Sequence, residues 1–170
     1  MSISLVAGLA VCDAIAPDVS PSPKLKWPND VWVGGKKIAG VLVEASIAGD
    51  RVDYVVVGCG INVHARSFPS EIESIATSVA LQSKAQPDRA LILARLLEAL
   101  DRDIATVAKH GLGVVHARID ALDALRGSVV RGELGEGVAD GIDIDGRLRV
   151  VRENKQIETW VAGEVHLLKG

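Results

Sequence analysis

Aromatic residues are scarce in this chain: three Trp, one Tyr and one Phe among 170 residues. With so few large rings, the core must be built from Val, Ile, Leu and Ala. Cysteine is nearly absent too. Cys12 and Cys59 read as free thiols in a reducing compartment, and neither their spacing nor a nearby His suggests zinc. Charge of neither sign dominates, since 19 Lys and Arg stand against 22 Asp and Glu for a net of −3. Without a basic field to release counterions, the balance argues against a dedicated nucleic-acid binder. The apolar N-terminal run, Ile3 to Ile15, falls short of the ~20 residues a bilayer-spanning helix needs. No Lys or Arg precedes Lys24, so that run also lacks the positive start of a secretory signal. It reads as a buried helix, stopped by Pro17. Rossmann and Walker glycine spacings are both missing.

What is present is a globular composition, 48% hydrophobic and 24% charged, enough for one domain and a small satellite. After the helix, Val31-Trp32-Val33, Ile38–Ala45 and Tyr54–Val57 read as an antiparallel meander beginning near Leu25. Gly34-Gly35 and Gly49-Asp50 supply its turns, the second within a polar connection from Ser46 to Asp53. Leu91, Leu96, Leu97, Leu100, Ile104 and Val107 recur at helical spacing between Asp88 and His110, with Gly111 and Gly113 as the stop. Val114 to Leu125 reads as another short helix. Beyond Arg126 come five short strand candidates: Ser128–Arg131, Gly137–Ile144, Leu148–Arg152, Ile157–Trp160 and Glu164–Leu168. Asp145-Gly146 is a hairpin turn, and the group suggests a barrel-like satellite. The fold class is α+β, with a first domain over 1–125 and a second over 126–170. Asp143, Asp145 and Gly146 lack the remaining ligands of a calcium loop.

The chemistry concentrates between Lys24 and Glu44, in KLKWPNDVWVGGKKIAGVLVE. Pro28 fixes φ in a rigid Trp27-Pro28-Asn29-Asp30 turn that aims Asn29 and Asp30. Lys37 follows a glycine turn and precedes Ala39-Gly40, small residues that let a flat ligand come close. A fixed ammonium there can neutralise a carboxylate or phosphate as charge develops. Asp30 can orient Lys37 or hold magnesium. The same residues also fit a plainer reading, with Asp30 capping a turn and the lysines solvated at a hairpin tip. In a second stretch, YVVVGCGINV, a buried strand runs into Gly58-Cys59-Gly60-Ile61-Asn62, where glycines admit a ligand and Asn62 can pair with an adenine edge. A glycine bulge in a core strand is the alternative there.

In order, KWPND, GGKKIAGVLVE and VVVGCGINV resemble the biotin protein ligase family. The resemblance extends to the helix before KWPND, to the Leu91–His110 helix and to Gly127–Gly170 with its Trp160-Val161-Ala162-Gly163-Glu164-Val165. It implies a partial biotin/lipoate-ligase-like mixed sheet with helices, followed by an SH3-like barrel. The implied reaction joins biotin and MgATP into biotinyl-5′-AMP, then transfers biotin to a lysine on the biotin carboxyl carrier domain of acetyl-CoA carboxylase or a related enzyme. Lys37 would contact the biotin carboxylate. Asn29 and Asp30 would lie on the nucleotide and metal side, with magnesium at Asp30, and Lys26 and Trp27 would be among the residues that bind biotin or nucleotide. Gly40, Gly58, Gly60, Ile61 and Asn62 would line biotin and adenine. Lys36 matches no family role. Location would be cytoplasmic, with neither nucleic acid nor membrane as partner, and a homodimer through the central sheet stays open.

One departure stands out. Family members carry a glycine/arginine-rich GRGR-type loop upstream of the first helix, and no such motif occurs in this sequence. The expectation is a C-terminal portion of a ligase, weak or inactive by itself. A non-catalytic module that binds the carrier or another partner is the alternative, and lipoate ligases are the nearest catalytic one.

Overall fold

The computed structural model describes residues 2–49 and 51–168. Helix α1, Ser2–Ile15, is buried along nearly its whole length from Leu5 to Ile15, as its lack of any polar face requires. It packs between a four-stranded sheet and the long helix α3, Arg89–His110. Gly8 permits this closeness, because a Cβ there would stand 2.8 Å from Leu25 Cδ2.

The sheet runs β1 (Lys24–Lys26), β2 (Asp30–Val33), β3 (Lys36–Ala48) and β4 (Arg51–Ile61) in that spatial order, all antiparallel. Two expectations change here. The polar connection expected from Ser46 to Asp53 is mostly strand, since β3 continues to Ala48 and β4 starts at Arg51. Asp50, half of the expected turn, lies outside the described residues. Nor is Tyr54–Val57 a buried strand: Tyr54 and Val56 are 59% and 51% exposed, because β4 is an edge strand with one open face. Gly58 and Gly60 pair regularly with Leu42 and Gly40, and the bulge lies at Ser46/Ile47 instead.

A loop and the single turn α2, Val79–Gln82, lead to α3. Asp88 caps α3 by accepting from the amides of Ala90 and Leu91, satisfying orphan donors of the first turn. Its buried face is Ile92, Leu96, Ala99 and Asp103. Leu91, Leu97 and Ile104, expected on the core stripe, are exposed. Gly111, at φ 77°, ends the helix, whereas Gly113 lies inside a 3-10 turn, Leu112–Val114, that precedes α4, His116–Leu122.

The last segment forms a second antiparallel sheet in the order β8-β7-β6-β5-β9. Its strands are β5 (Val129–Gly132), β6 (Gly135–Ile142), β7 (Leu148–Val151), β8 (Ile157–Trp160) and β9 (His166–Leu167). Val130, Ala139, Leu148, Val150 and Trp160 from this sheet join α1, the first sheet and α3 in one continuous core. Among the described residues, no helix is long and apolar enough to cross a membrane.

Candidate functional site

Strand register sets the site. Lys26 pairs with Asp30 and Asp30 with Gly40, so these three share the face of the first sheet that points away from α1. Lys37 Nζ lies 2.6 Å from Asp30 Oδ1, and Lys26 Nζ lies 3.9 Å from Oδ2. Two ammonium groups share this carboxylate, and Glu164 across the cleft adds a second negative charge facing Lys26. Lys26 is buried, 7% exposed, and stacks 5.6 Å over the Trp32 ring. Burial pushes its pKa down, Asp30 and Glu164 pull it back up, and Lys37 pushes it down again. The Lys37 side chain is 49% exposed, so its charge faces the solvent-filled cleft. Gly40 gives it room, since a Cβ there would sit 3.2 Å from Lys37 Cε and Nζ.

Lys37 stands where three clefts meet. One, of about 440 Å³, has Gly40, Gly58 and Gly60 as floor, with Asn29 and Leu42 at its side. A Cβ on Gly58 or Gly60 would meet only ordinary contacts at 3.8 Å, so chain packing does not demand glycine there; the glycines keep the floor flat. Another, of about 280 Å³, lies between Ala39 and Asn62 and the apolar Phe68, Ile72 and Ile75. The third, of about 300 Å³, sets Lys26, Pro28 and Asp30 against Gly163 and Glu164 of the loop between β8 and β9. A larger cleft of about 630 Å³ lies on that sheet among Val129, Val138 and Val151, and none of the expected site residues lines it.

The structure thus gathers Lys37, Asp30, Lys26, Asn29, Gly40, Gly58, Gly60 and Asn62 around one ammonium. Asn29 Nδ2 donates to Val41 O at 2.8 Å, and Val41 N donates back to Asn29 O at 2.9 Å, which locks the turn. Two expected ligand contacts fall elsewhere. Trp27 has no exposed surface, and its Nε1 donates to Gly146 O at 3.0 Å. Ile61 pairs with Ala39, on the face opposite Gly60, and lines a groove against Ile92 and Leu96 of α3. Cys59 shares that groove, its thiol pushed up by burial. Asp30 does not fit as a magnesium holder, because both its oxygens face ammonium groups. Among the described residues, no cluster of three or more His, Cys, Asp or Glu could hold a metal.

Sequence reasoning missed the loop after Asn62. Lys37 N donates to Ile75 O at 2.7 Å and Thr77 N donates to Lys37 O at 2.8 Å, while Asn62 Nδ2 holds Thr77 O at 3.0 Å. These bonds bring Phe68, Ile72 and Ile75 to the site. The loop shows no periodicity, and its one signal is that it holds the chain's single Phe.

Two family models match: the biotin/lipoate A/B protein ligase family over residues 2–62, and the biotin protein ligase C-terminal domain over residues 128–168. The chain belongs to the biotin protein ligase family. The first match contains the lysine–aspartate group and the glycine floor, and the second contains Gly163 and Glu164. Both walls of the third cleft therefore lie in segments the family shares. The chain is 37% identical over 173 residues to the biotin–[acetyl-CoA-carboxylase] ligase of Mycobacterium tuberculosis, covering 97% of this chain and 62% of that one. It is 29% identical to the bifunctional ligase/repressor of Bacillus subtilis, covering 97% of this chain and 52% of that one. So the chain spans roughly half to three fifths of these relatives. Among solved structures, the biotin protein ligase of Aquifex aeolicus superposes with a TM-score of 0.88 in its apo form, at 28% identity over 99% of this chain and 75% of that one. Its complex with biotin and ATP gives 0.85, over 100% and 72%.

Proposed function

We propose that the chain carries biotin protein ligase chemistry. The biotin carboxylate attacks the α-phosphorus of ATP, giving biotinyl-5′-AMP and releasing pyrophosphate. The amine of an acceptor lysine, on the biotin carboxyl carrier domain of acetyl-CoA carboxylase or a related carboxylase, then attacks the mixed anhydride, forms the amide and releases AMP. The observation that carries this reading is Lys37: a half-exposed ammonium fixed 2.6 Å from Asp30 at the meeting of three clefts. Both reacting partners are anions, and a preorganised cation between them offsets their repulsion and stabilises the charge of the transition state. The flat glycine floor suits the biotin bicycle, the apolar Phe68–Ile75 cleft suits a base, and the third cleft offers Lys26 and Lys37 to phosphates, with Asp30 and Glu164 balancing their charge until the nucleotide enters. The relative solved with both biotin and ATP has this same fold. Magnesium enters with ATP as part of the substrate, not as a resident ion. We place the reaction in the cytoplasm and assign residues 1–125 to the chemistry, with 126–170 as a module that walls the cleft.

The test is single-turnover formation of biotinyl-5′-AMP, read by mass spectrometry, followed by biotin transfer to a purified carrier domain. Lys37→Ala is expected to slow adenylate formation by about 10²–10³-fold. Adenylate formed from lipoate but not from biotin would reassign the acyl group; no adenylate from either acid, both in this chain and in one carrying a family GRGR-type loop ahead of α1, would overturn the reading.

A further inference from the structure

Trp27 lies within the motif of the site yet is wholly buried, and its indole N–H is spent on Gly146 O, 3.0 Å away and 119 residues along the chain. Gly146 is itself buried. It lies in the β6–β7 turn, which is closed by Asp143 N donating to Arg147 O at 2.8 Å and Gly146 N donating to Asp143 O at 3.0 Å, so its carbonyl points in a fixed direction. On the other side, Trp27 is bonded to Pro28, and Lys26, Pro28 and Asp30 form one wall of the third cleft. The opposite wall, Gly163 and Glu164, leads into β9 of the sheet that carries Gly146. Other joints between the two sheets, His116 to Ile142 O at 2.7 Å and Ala124 N to Leu25 O at 2.8 Å, tie the connecting helix rather than the site turn. We infer that the Trp27–Gly146 hydrogen bond is a latch that sets the width of the third cleft, which makes Trp27 a positioning residue for the nucleotide and not a ligand contact.

This deepens the ligase reading and rests on it for the identity of the ligand. The latch borders the third cleft but not the glycine floor, so the two substrates should respond differently to its loss. Trp27→Phe keeps an aromatic ring and removes the donor; site-specific replacement of Trp27 by benzothienylalanine keeps the full ring shape and removes only the N–H. In both, affinity for a non-hydrolysable ATP analogue should fall about tenfold, the size of one lost hydrogen bond, with biotin affinity within about twofold of the parent. Amide hydrogen exchange should accelerate at 143–147 and 163–167 while α1 stays protected. Equal weakening of both ligands, unchanged nucleotide affinity, or exchange that accelerates uniformly would overturn the latch. If the parent chain binds neither biotin nor the analogue, the ligase reading fails instead, and the local exchange pattern alone decides the latch.

Discussion

Asp30 controls what the two lysines beside it can do. It is the only carboxylate within ion-pair distance of either ammonium among the described residues, and Lys26 is too buried to be solvated in its place. Removing one partner of a buried pair costs far more than removing an exposed one. Asp30→Asn should therefore lower the thermal midpoint by several degrees and slow adenylation, whereas Lys37→Ala, truncating a half-exposed side chain, should slow adenylation at an almost unchanged midpoint. Thermal denaturation of the two variants side by side checks the contrast. Gly40→Ala separates geometry from charge. Its new methyl presses on the flexible tip of Lys37 at 3.2 Å, so the ammonium moves and the backbone does not. We expect a stability change under about 1 kcal/mol with an adenylation rate down by about ten- to a hundredfold, because small displacements of a catalytic group are costly. Gly60→Ala is the counterpart: its methyl meets nothing closer than 3.8 Å in the chain, so its effect should appear in biotin affinity alone.

At the scale of elements, α1, α3 and α4 are joined by one ionic seam. Asp103, 3% exposed in the middle of α3, accepts from Arg102 Nε at 2.9 Å and from Arg118 Nη1 of α4 at 2.9 Å. Both arginines also reach Asp13 of α1, at 2.6 and 2.5 Å. Burial works against the Asp103 charge, but the two guanidiniums outweigh it and hold its pKa below the usual carboxylate value. A depressed carboxylate stabilises the fold at every pH above its ordinary value, and that contribution is lost as pH falls from about 4 downward. Asp103→Asn should thus cost about 2–3 kcal/mol at pH 7, below the full value for a buried pair because both arginines are partly exposed. The difference from the parent in urea titrations should shrink below about pH 4; a pH-independent difference would mean the seam is not ionic. Sequence periodicity placed α3 and half of its inward stripe, since Leu96, Leu100 and Val107 pack into or against the core while Leu91, Leu97 and Ile104 are exposed. Asp103 is buried between Arg102 of its own helix and Arg118 of α4, and periodicity within α3 cannot show that α4 folds back to supply the second arginine. The same limit hid the Phe68–Ile75 loop, whose position depends on backbone bonds to Lys37. The KWPND turn and the glycine strand ends were legible because their chemistry is local, fixed by Pro28 and by missing Cβ atoms.

Across the whole molecule, the single core leaves a long two-stranded ribbon outside it. Leu42, Ile47, Val52, Tyr54 and Val56 of β3 and β4 are all more than half exposed. From the sequence this region looked like a short hairpin with a buried strand, because Val and Tyr at alternate positions normally mean one covered face. Nothing among the described residues pairs with the outer edge of β4. Near that edge, α3 shows Leu93 and Leu97, 53% and 57% exposed, beside the groove shared with Cys59 and Ile61. An unpaired strand edge flanked by apolar side chains is a template for pairing with another chain. We therefore expect this chain to self-associate with rising concentration, seen as a growing weight-average mass in sedimentation velocity. Val56→Lys places a charge beside the edge, and Leu97→Glu does the same on the helix; each should shift association to higher concentration without lowering the thermal midpoint, since neither side chain is in the core. The two substitutions differ in what else they should touch. Val56 is on the open face that continues into Gly58 and Gly60, so its charge lies near the glycine floor and should change biotin affinity. Leu97 is on the far side of the sheet and should leave that affinity unchanged. If association persists in both variants, the contact lies elsewhere, and the outer row of the C-terminal sheet, Val129, Val138, Val151 and Ile157, aligned by strand register, is the next surface to charge.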